Sequence, residues 1–173
     1  MRTIVSTIFL IISFLLQSTL LSQFTIGGII PNLVLIVIAS VGFLNGRKSG
    51  LVMGFIIGLV FDVFYGSIIG LYALLYMCIG FANGTFKKIL FPGDIKLPLL
   101  LILTSDIAYG NVCYILTFLL NGKFNYLFYV KSVILPEVVY TTICAFAIYP
   151  IINAIFKRIE AHEKLLEGED EIE

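Results

Sequence analysis

The sequence predicts an all-α fold, a polytopic membrane helical bundle of about six transmembrane helices, and three observations carry that prediction. First, 60% of the 173 residues are hydrophobic and the mean hydropathy is +1.06, whereas soluble globular domains hold about 45–50% apolar residues. Second, apolar runs recur along the whole chain, several of them near the roughly 20 residues that a helix needs to cross a hydrocarbon core. Third, the eleven Lys and Arg fall in ones and twos between these runs and divide unequally between the two sides of an alternating path.

Each element follows from its residues. Ile4 to Leu21 is an apolar run of spanning length. It is read as a retained first helix rather than a signal peptide, because its basic lead is a single Arg2, it exceeds the usual apolar length, and no clear small-x-small site follows. Ser22 to Ile30, with Gly27-Gly28, is an uncharged connection. Pro31-Asn32 then opens a short second helix, Leu33 to Leu44, since Pro suits a first helical turn. Asn45-Gly-Arg-Lys-Ser reads as a tight basic turn, followed by a third helix from Gly50 to Phe64, a turn at Tyr65-Gly66-Ser67, and a fourth helix from Ile68 to Phe86 with Gly80 and Gly84. Lys87-Lys88, Pro92-Gly93-Asp94 and Lys96 form a polar break before a fifth span, Leu97 to Leu120. The connection from Asn121 to Lys131 carries Phe124, Tyr126, Phe128 and Tyr129, aromatics suited to the membrane–water interface. The last span, Ser132 to Phe156, contains Pro136 and Pro150, each an expected kink. Residues 1–158 thus form one transmembrane domain and residues 159–173 a short acidic tail, begun by an amphipathic stretch through Ile159, His162, Leu165 and Leu166.

Topology follows from the basic residues. One side receives Arg2, Arg47, Lys48, Lys87, Lys88, Lys96, Lys157, Arg158 and Lys164, the other only Lys123 and Lys131. By the positive-inside rule both termini are cytoplasmic. The same scatter excludes a basic nucleic-acid surface. Cys78, Cys113 and Cys144 sit in apolar runs at no ligand-like spacing and read as small buried hydrophobes. The single His162 lies in the acidic tail, and no nucleophile–base set, metal site or cofactor motif is present, so no enzymatic role is expected.

The pattern with most information is a glycine register. Gly42, Gly46, Gly50, Gly54, Gly58, Gly66 and Gly70 recur every fourth residue, and Asp62 fills the remaining position. On a helix, residues four apart share a face, so Gly50, Gly54 and Gly58 form a flat groove on which small residues let a second helix approach closely. The expectation is that this groove docks a partner's helix. Asp62, a carboxylate without a neighbouring cation, either holds the outer ends of helices together or presents a hydrogen-bond site, or else sits in interfacial water. Asp106 lies deep in the fifth span beside Thr104 and Ser105, where an acid relays protons or accepts internal hydrogen bonds. Glu137 follows Pro136, within reach of Lys131 or of backbone freed by the proline.

The run PNLVLIVIASVGFLNGRKSGLVMGFIIGLVFDVFYGSIIGLYALLY resembles the rod shape-determining protein MreD family. The matching positions are Pro31, Asn32, Leu33, Gly46, Gly50, Gly54, Phe55, Gly58, Leu59, Asp62, Gly70 and Leu71, a Pro-(Asp/Asn)-Leu start followed by a glycine-rich segment ending in Gly-Leu-x-x-Asp. The resemblance implies a non-enzymatic subunit of the cell-elongation machinery in a bacterial plasma membrane. Its implied partners are an MreC-type bitopic protein, peptidoglycan synthases and the MreB filament. It also implies a helical arrangement similar to the substrate-binding subunits of energy-coupling-factor transporters, and hence a rival reading, a vitamin-type pocket framed by the short helices and Gly27-Gly28. The scaffold reading is preferred, because the outer connections offer mainly Asn32, Asp62, Tyr65, Asn125 and Glu137 as polar groups for a ligand.

Overall fold

The computed structural model describes residues 2–20, 28–66, 69–89, 95–116 and 125–170. Its elements are α1 (Arg2–Leu15, extended by a π-helical turn over Leu16–Leu20), α2 (Leu33–Asn45), α3 (Arg47–Tyr65), α4 (Leu71–Thr85, extended by a 3₁₀ turn over Phe86–Ile89), α5 (Lys96–Tyr114), α6 (Tyr126–Tyr129) and α7 (Leu135–Asp170). The described residues form an all-α polytopic bundle. Four helical stretches are long and apolar enough to cross a membrane: Arg2–Thr19, Arg47–Tyr65, Lys96–Tyr114 and Tyr126–Glu163. With 13 and 15 residues, α2 and α4 are shorter.

The bundle is built around α2. All residues from Leu33 to Phe43 are buried, and Val34 to Ile38 are fully so. A helix that is hydrophobic all round needs partners on every side, and α2 has them in α1, α3, α4, α5 and α7. The surrounding helices turn their other faces outward. Ile8, Ile11 and Leu15 of α1, Val52, Ile56 and Val63 of α3, and Val139, Ile143 and Phe146 of α7 are all exposed, a surface whose natural solvent is lipid.

Several expected boundaries move, each for a local reason. The basic turn predicted at residues 45–49 contracts to one residue. Gly46 adopts φ +101°, a left-handed conformation open to glycine, so the chain reverses there and α3 resumes at Arg47. Lys87 and Lys88 extend the end of α4 as a 3₁₀ turn instead of opening a loop. Tyr126, Phe128 and Tyr129, predicted in a connection, lie on α6, which continues through a π-turn at Val130–Ile134 into α7. In that turn Leu135 N–H donates to the Val130 carbonyl, five residues back, just ahead of Pro136. α7 runs through Pro150 and past residue 158 to Asp170, so the acidic stretch begins as a continuation of the last span. Gly27, Ile68, Pro92-Gly93-Asp94, Leu120 and Phe124 lie outside the described residues.

Two ends of the bundle are distinct. At one, Arg2 Nε donates to Glu163 at 2.7 Å with Glu160 at 3.8 Å, and Lys87 Nζ donates to the Asn45 carbonyl at 3.2 Å. At the other, Asp62 meets the start of α4 and the Tyr126 hydroxyl donates to Asn111 Oδ1 at 2.6 Å. The Lys131–Glu137 contact that the spacing allows is not made among the described residues.

Candidate functional site

The glycine register and the buried polar groups meet where α2, α3 and α4 cross. A Cβ added at Gly50 would strike the Gly80 carbonyl, one at Gly54 the Tyr76 backbone, and one at Gly58 the backbone of Tyr72 and Ala73. Gly80 and Gly84 answer from α4, since a Cβ there would strike Gly50 and Arg47, and Gly42 of α2 abuts Gly80 and Gly84. The expectation that Gly50, Gly54 and Gly58 dock a partner's helix is therefore corrected: the strip is filled by this chain's own α4. The spacing identifies a close helix crossing, and a hairpin partner joined by a short turn reaches it first. Gly46 and Gly66 lie in the turns that bound α3, and Gly70 at φ +100° is the N-cap of α4.

Asp62 explains how α4 begins. Gly70 has no side chain to cap the helix, and the Asp62 carboxylate reaches across from α3 to accept hydrogen bonds from the N–H groups of Gly70 (3.0 Å), Tyr72 (2.8 Å) and Ala73 (3.0 Å). Three otherwise orphaned donors and the positive end of the helix thus share one carboxylate, itself 2% exposed. Of the alternatives open at Asp62, the one that ties helix ends together matches this geometry.

Asn32 plays the corresponding part for α2. Its Oδ1 accepts the Leu35 N–H at 3.1 Å and the Tyr76 hydroxyl at 3.3 Å, while its own N–H donates to Thr141 Oγ1 at 3.0 Å. One buried amide thereby links α2, α4 and α7. Asp106 is 2% exposed. Its carboxylate oxygens make no hydrogen bond among the described residues, and Thr141 is the polar group facing it. Glu137 is half-buried and within electrostatic reach of Asp106. The Asp62 carboxylate is engaged with backbone amides at the α3–α4 end, so it supplies no free member for a proton relay through these acids.

Sequence reasoning did not single out Tyr76, Thr141, Asn83 or Gln17, whose Oε1 accepts the Val34 N–H at 3.1 Å. A lone amide within an apolar run was the available signal for Gln17 and Asn83; Tyr76 and Thr141 carry none. Cys78 is exposed, contrary to the expectation of a buried thiol, while Cys113 and Cys144 are half-buried. A cavity of about 310 Å³ opens beside Phe61, Tyr65, Tyr72 and Tyr109. Of the polar groups expected to serve a ligand Tyr65 lines it, together with Gln17 and Ser18, which were not expected there, while Asn32 and Asp62 are engaged at helix ends.

A bundle of apolar helices joined by buried polar groups defines a polytopic α-helical membrane protein. The sequence model of the family described as rod shape-determining protein MreD matches residues 1–159, and the chain belongs to that family. It is a rod-shape-determining membrane protein. Neither the curated proteins nor the solved structures hold a significant match.

Proposed function

We propose that the protein is a non-enzymatic scaffold of the bacterial cell-elongation complex, holding an MreC-type bitopic protein and peptidoglycan synthases in the plasma membrane alongside the MreB filament. The observation that carries this reading is the disposition of the polar groups. Asn32 and Asp62, the outer polar residues best placed for a ligand, are consumed by capping α2 and α4, while broad apolar faces of α1, α3 and α7 look outward. The nine-to-two bias of basic residues supports cytoplasmic termini. The Arg2–Glu163 pair supports this, since it puts the chain start and the end of the last span on one side. In this reading residues 1–158 are the membrane domain and residues 159–173 its acidic tail.

The test is depletion in a rod-shaped bacterial host, scored together for cell rounding and for uptake of small solutes. Rounding with normal uptake, reversed by re-expression, is the expected result. An uptake defect in cells that keep their shape would overturn the scaffold in favour of a transporter subunit.

A further inference from the structure

Arg47 and Lys48 occupy the first turn of α3, where no acidic residue stands and Gly46 offers no side-chain cap. The start of a helix carries the positive end of its dipole, so cations are disfavoured there. The antiparallel α4 brings two more. It ends beside this turn, with Gly84 set against the Arg47 backbone, and continues into Lys87 and Lys88. Lys87 Nζ crosses to the Asn45 carbonyl at 3.2 Å, and a Cβ at Gly46 would lie 3.4 Å from Lys87 Cδ. All four basic residues are exposed, and none is paired with a carboxylate among the described residues. Arg2, at the same end of the bundle, does have such partners, in Glu160 and Glu163. The last carbonyls of α2 and α4 offset part of the charge, since the end of a helix is equivalent to only about half a negative charge. The corner is left strongly positive.

Its surroundings fix which anion suits it. The Arg47 guanidinium stands 5.9 Å from the centroid of the Phe81 ring, a cation–π contact that holds the charge at the edge of the apolar surface. Phe81 and Phe86 are themselves exposed, on the helix whose end carries the two lysines. Cations bordering an outward apolar face are placed where the headgroups of a bilayer lie. A soluble acidic segment would answer the charge and leave the phenylalanines unused. An amphiphile with a phosphate head and an acyl tail answers both.

We propose that the corner formed by Arg47, Lys48, Lys87 and Lys88 binds the phosphate of an anionic phospholipid, whose acyl chains lie along the apolar surface beside Phe81. The site needs only the membrane fold, so it stands or falls apart from the scaffold reading.

The test uses the full chain in dodecyl maltoside micelles doped with phosphatidylglycerol or with zwitterionic phosphatidylcholine, and counts retained lipid by native mass spectrometry. Phosphatidylglycerol should be retained in clear preference to phosphatidylcholine. Each cation near an anionic lipid contributes about fivefold in affinity, so Arg47→Gln with Lys48→Gln, and Lys87→Gln with Lys88→Gln, should each weaken retention about 25-fold. Lys157→Gln with Arg158→Gln, on α7, which packs against α2 and α5, should leave retention unchanged. Lys87→Arg with Lys88→Arg keeps the charge and should keep the lipid. Where a Gln pair lowers the melting temperature in lipid-free micelles, Lys48→Gln and Lys88→Gln singly take its place, with about fivefold loss expected from each. Equal retention of the two lipids, equal loss from the α7 pair, or undiminished retention in the Gln variants of the corner would each overturn the assignment. So would displacement of phosphatidylglycerol by inorganic phosphate at equal concentration, which marks a site for the free anion, or by poly-glutamate, which marks one for an acidic protein segment.

Discussion

Replacing Asp62 with leucine removes the cap of a helix that has no other. The N–H groups of Gly70, Tyr72 and Ala73 lie 3.0, 2.8 and 3.0 Å from the Asp62 carboxylate, and Gly70 at the N-cap has no side chain to substitute for it. A hydrogen bond to a charged group contributes about 1.5–3 kcal/mol, and losing an N-cap side chain costs about 0.5–2 kcal/mol. These figures describe the same bonds, so they overlap; with buried donors left unpaired, Asp62→Leu is expected to cost about 4 kcal/mol. Asp62→Asn keeps one carbonyl oxygen within reach of the donors but turns an NH₂ toward another, and should cost about 2 kcal/mol. At about 2–4 °C per kcal/mol for a chain of this size, the melting temperature falls by about 8–16 °C for Leu and about 4–8 °C for Asn. The assay is thermal unfolding in detergent micelles in a Cys78→Ala background, followed by a thiol-reactive dye that reports exposure of half-buried Cys113 and Cys144. Hydrogen exchange should show lost protection first at residues 70–73. Equal losses for Asn and Leu would refute the acceptor argument in favour of charge alone, and a Leu variant melting like the unaltered protein would refute the cap itself.

Gly54→Leu and Gly58→Leu should each cost about 3 kcal/mol or more by driving α3 off the α4 backbone, seen as loss of monodisperse protein in gel filtration; Phe55→Leu, on the exposed face, should be near neutral. A double-mutant cycle of Arg2→Ala and Glu163→Ala should give a coupling of about 0.2–1 kcal/mol that shrinks in high salt, since both side chains are about one-third exposed. Asp106→Asn keeps the shape and the facing Thr141 while removing a buried carboxylate that makes no hydrogen bond among the described residues. It should leave stability unchanged or raise it by about 1 kcal/mol, and a melting temperature lowered by more than about 4 °C would show that the carboxylate is held by an opposing group.

The helices were legible because apolar runs separated by Pro, Gly and basic pairs mark their ends in any environment, although Pro31, expected in the first turn of the second helix, lies ahead of its N-cap, Asn32. The centrality of α2 was not. A 13-residue helix that is apolar on every side carries the same pattern whether lipid or protein surrounds it, so only tertiary contacts reveal that α2 is the core. Glycine spacing showed where a backbone approaches closely but not whose. The complementary Gly80 and Gly84 were visible in the sequence, and pairing them with Gly50 and Arg47 required the antiparallel register of α3 and α4. Arg2 and Glu163 lie 161 residues apart, a separation over which charge pattern specifies nothing.

These contacts divide the molecule into a fixed part and an open one. Along α2, α3 and α4 the backbones touch at glycines, so sliding or parting these helices would trade close packing for void and break the Asn32–Tyr76 hydrogen bond and the Asp62 cap of α4 together. A subunit that opens to admit a ligand needs such a seam to yield, and here that seam is the tightest in the bundle. α4 and α5 differ, being bridged by the Asn83–Ser105 hydrogen bond and the stacked rings of Tyr76 and Tyr109, with small residues along the gap between them. Substitutions inside the glycine crossing should therefore act on cell shape through protein stability and abundance. Substitutions that disturb cell shape at unchanged melting temperature should map to the outer faces of the bundle.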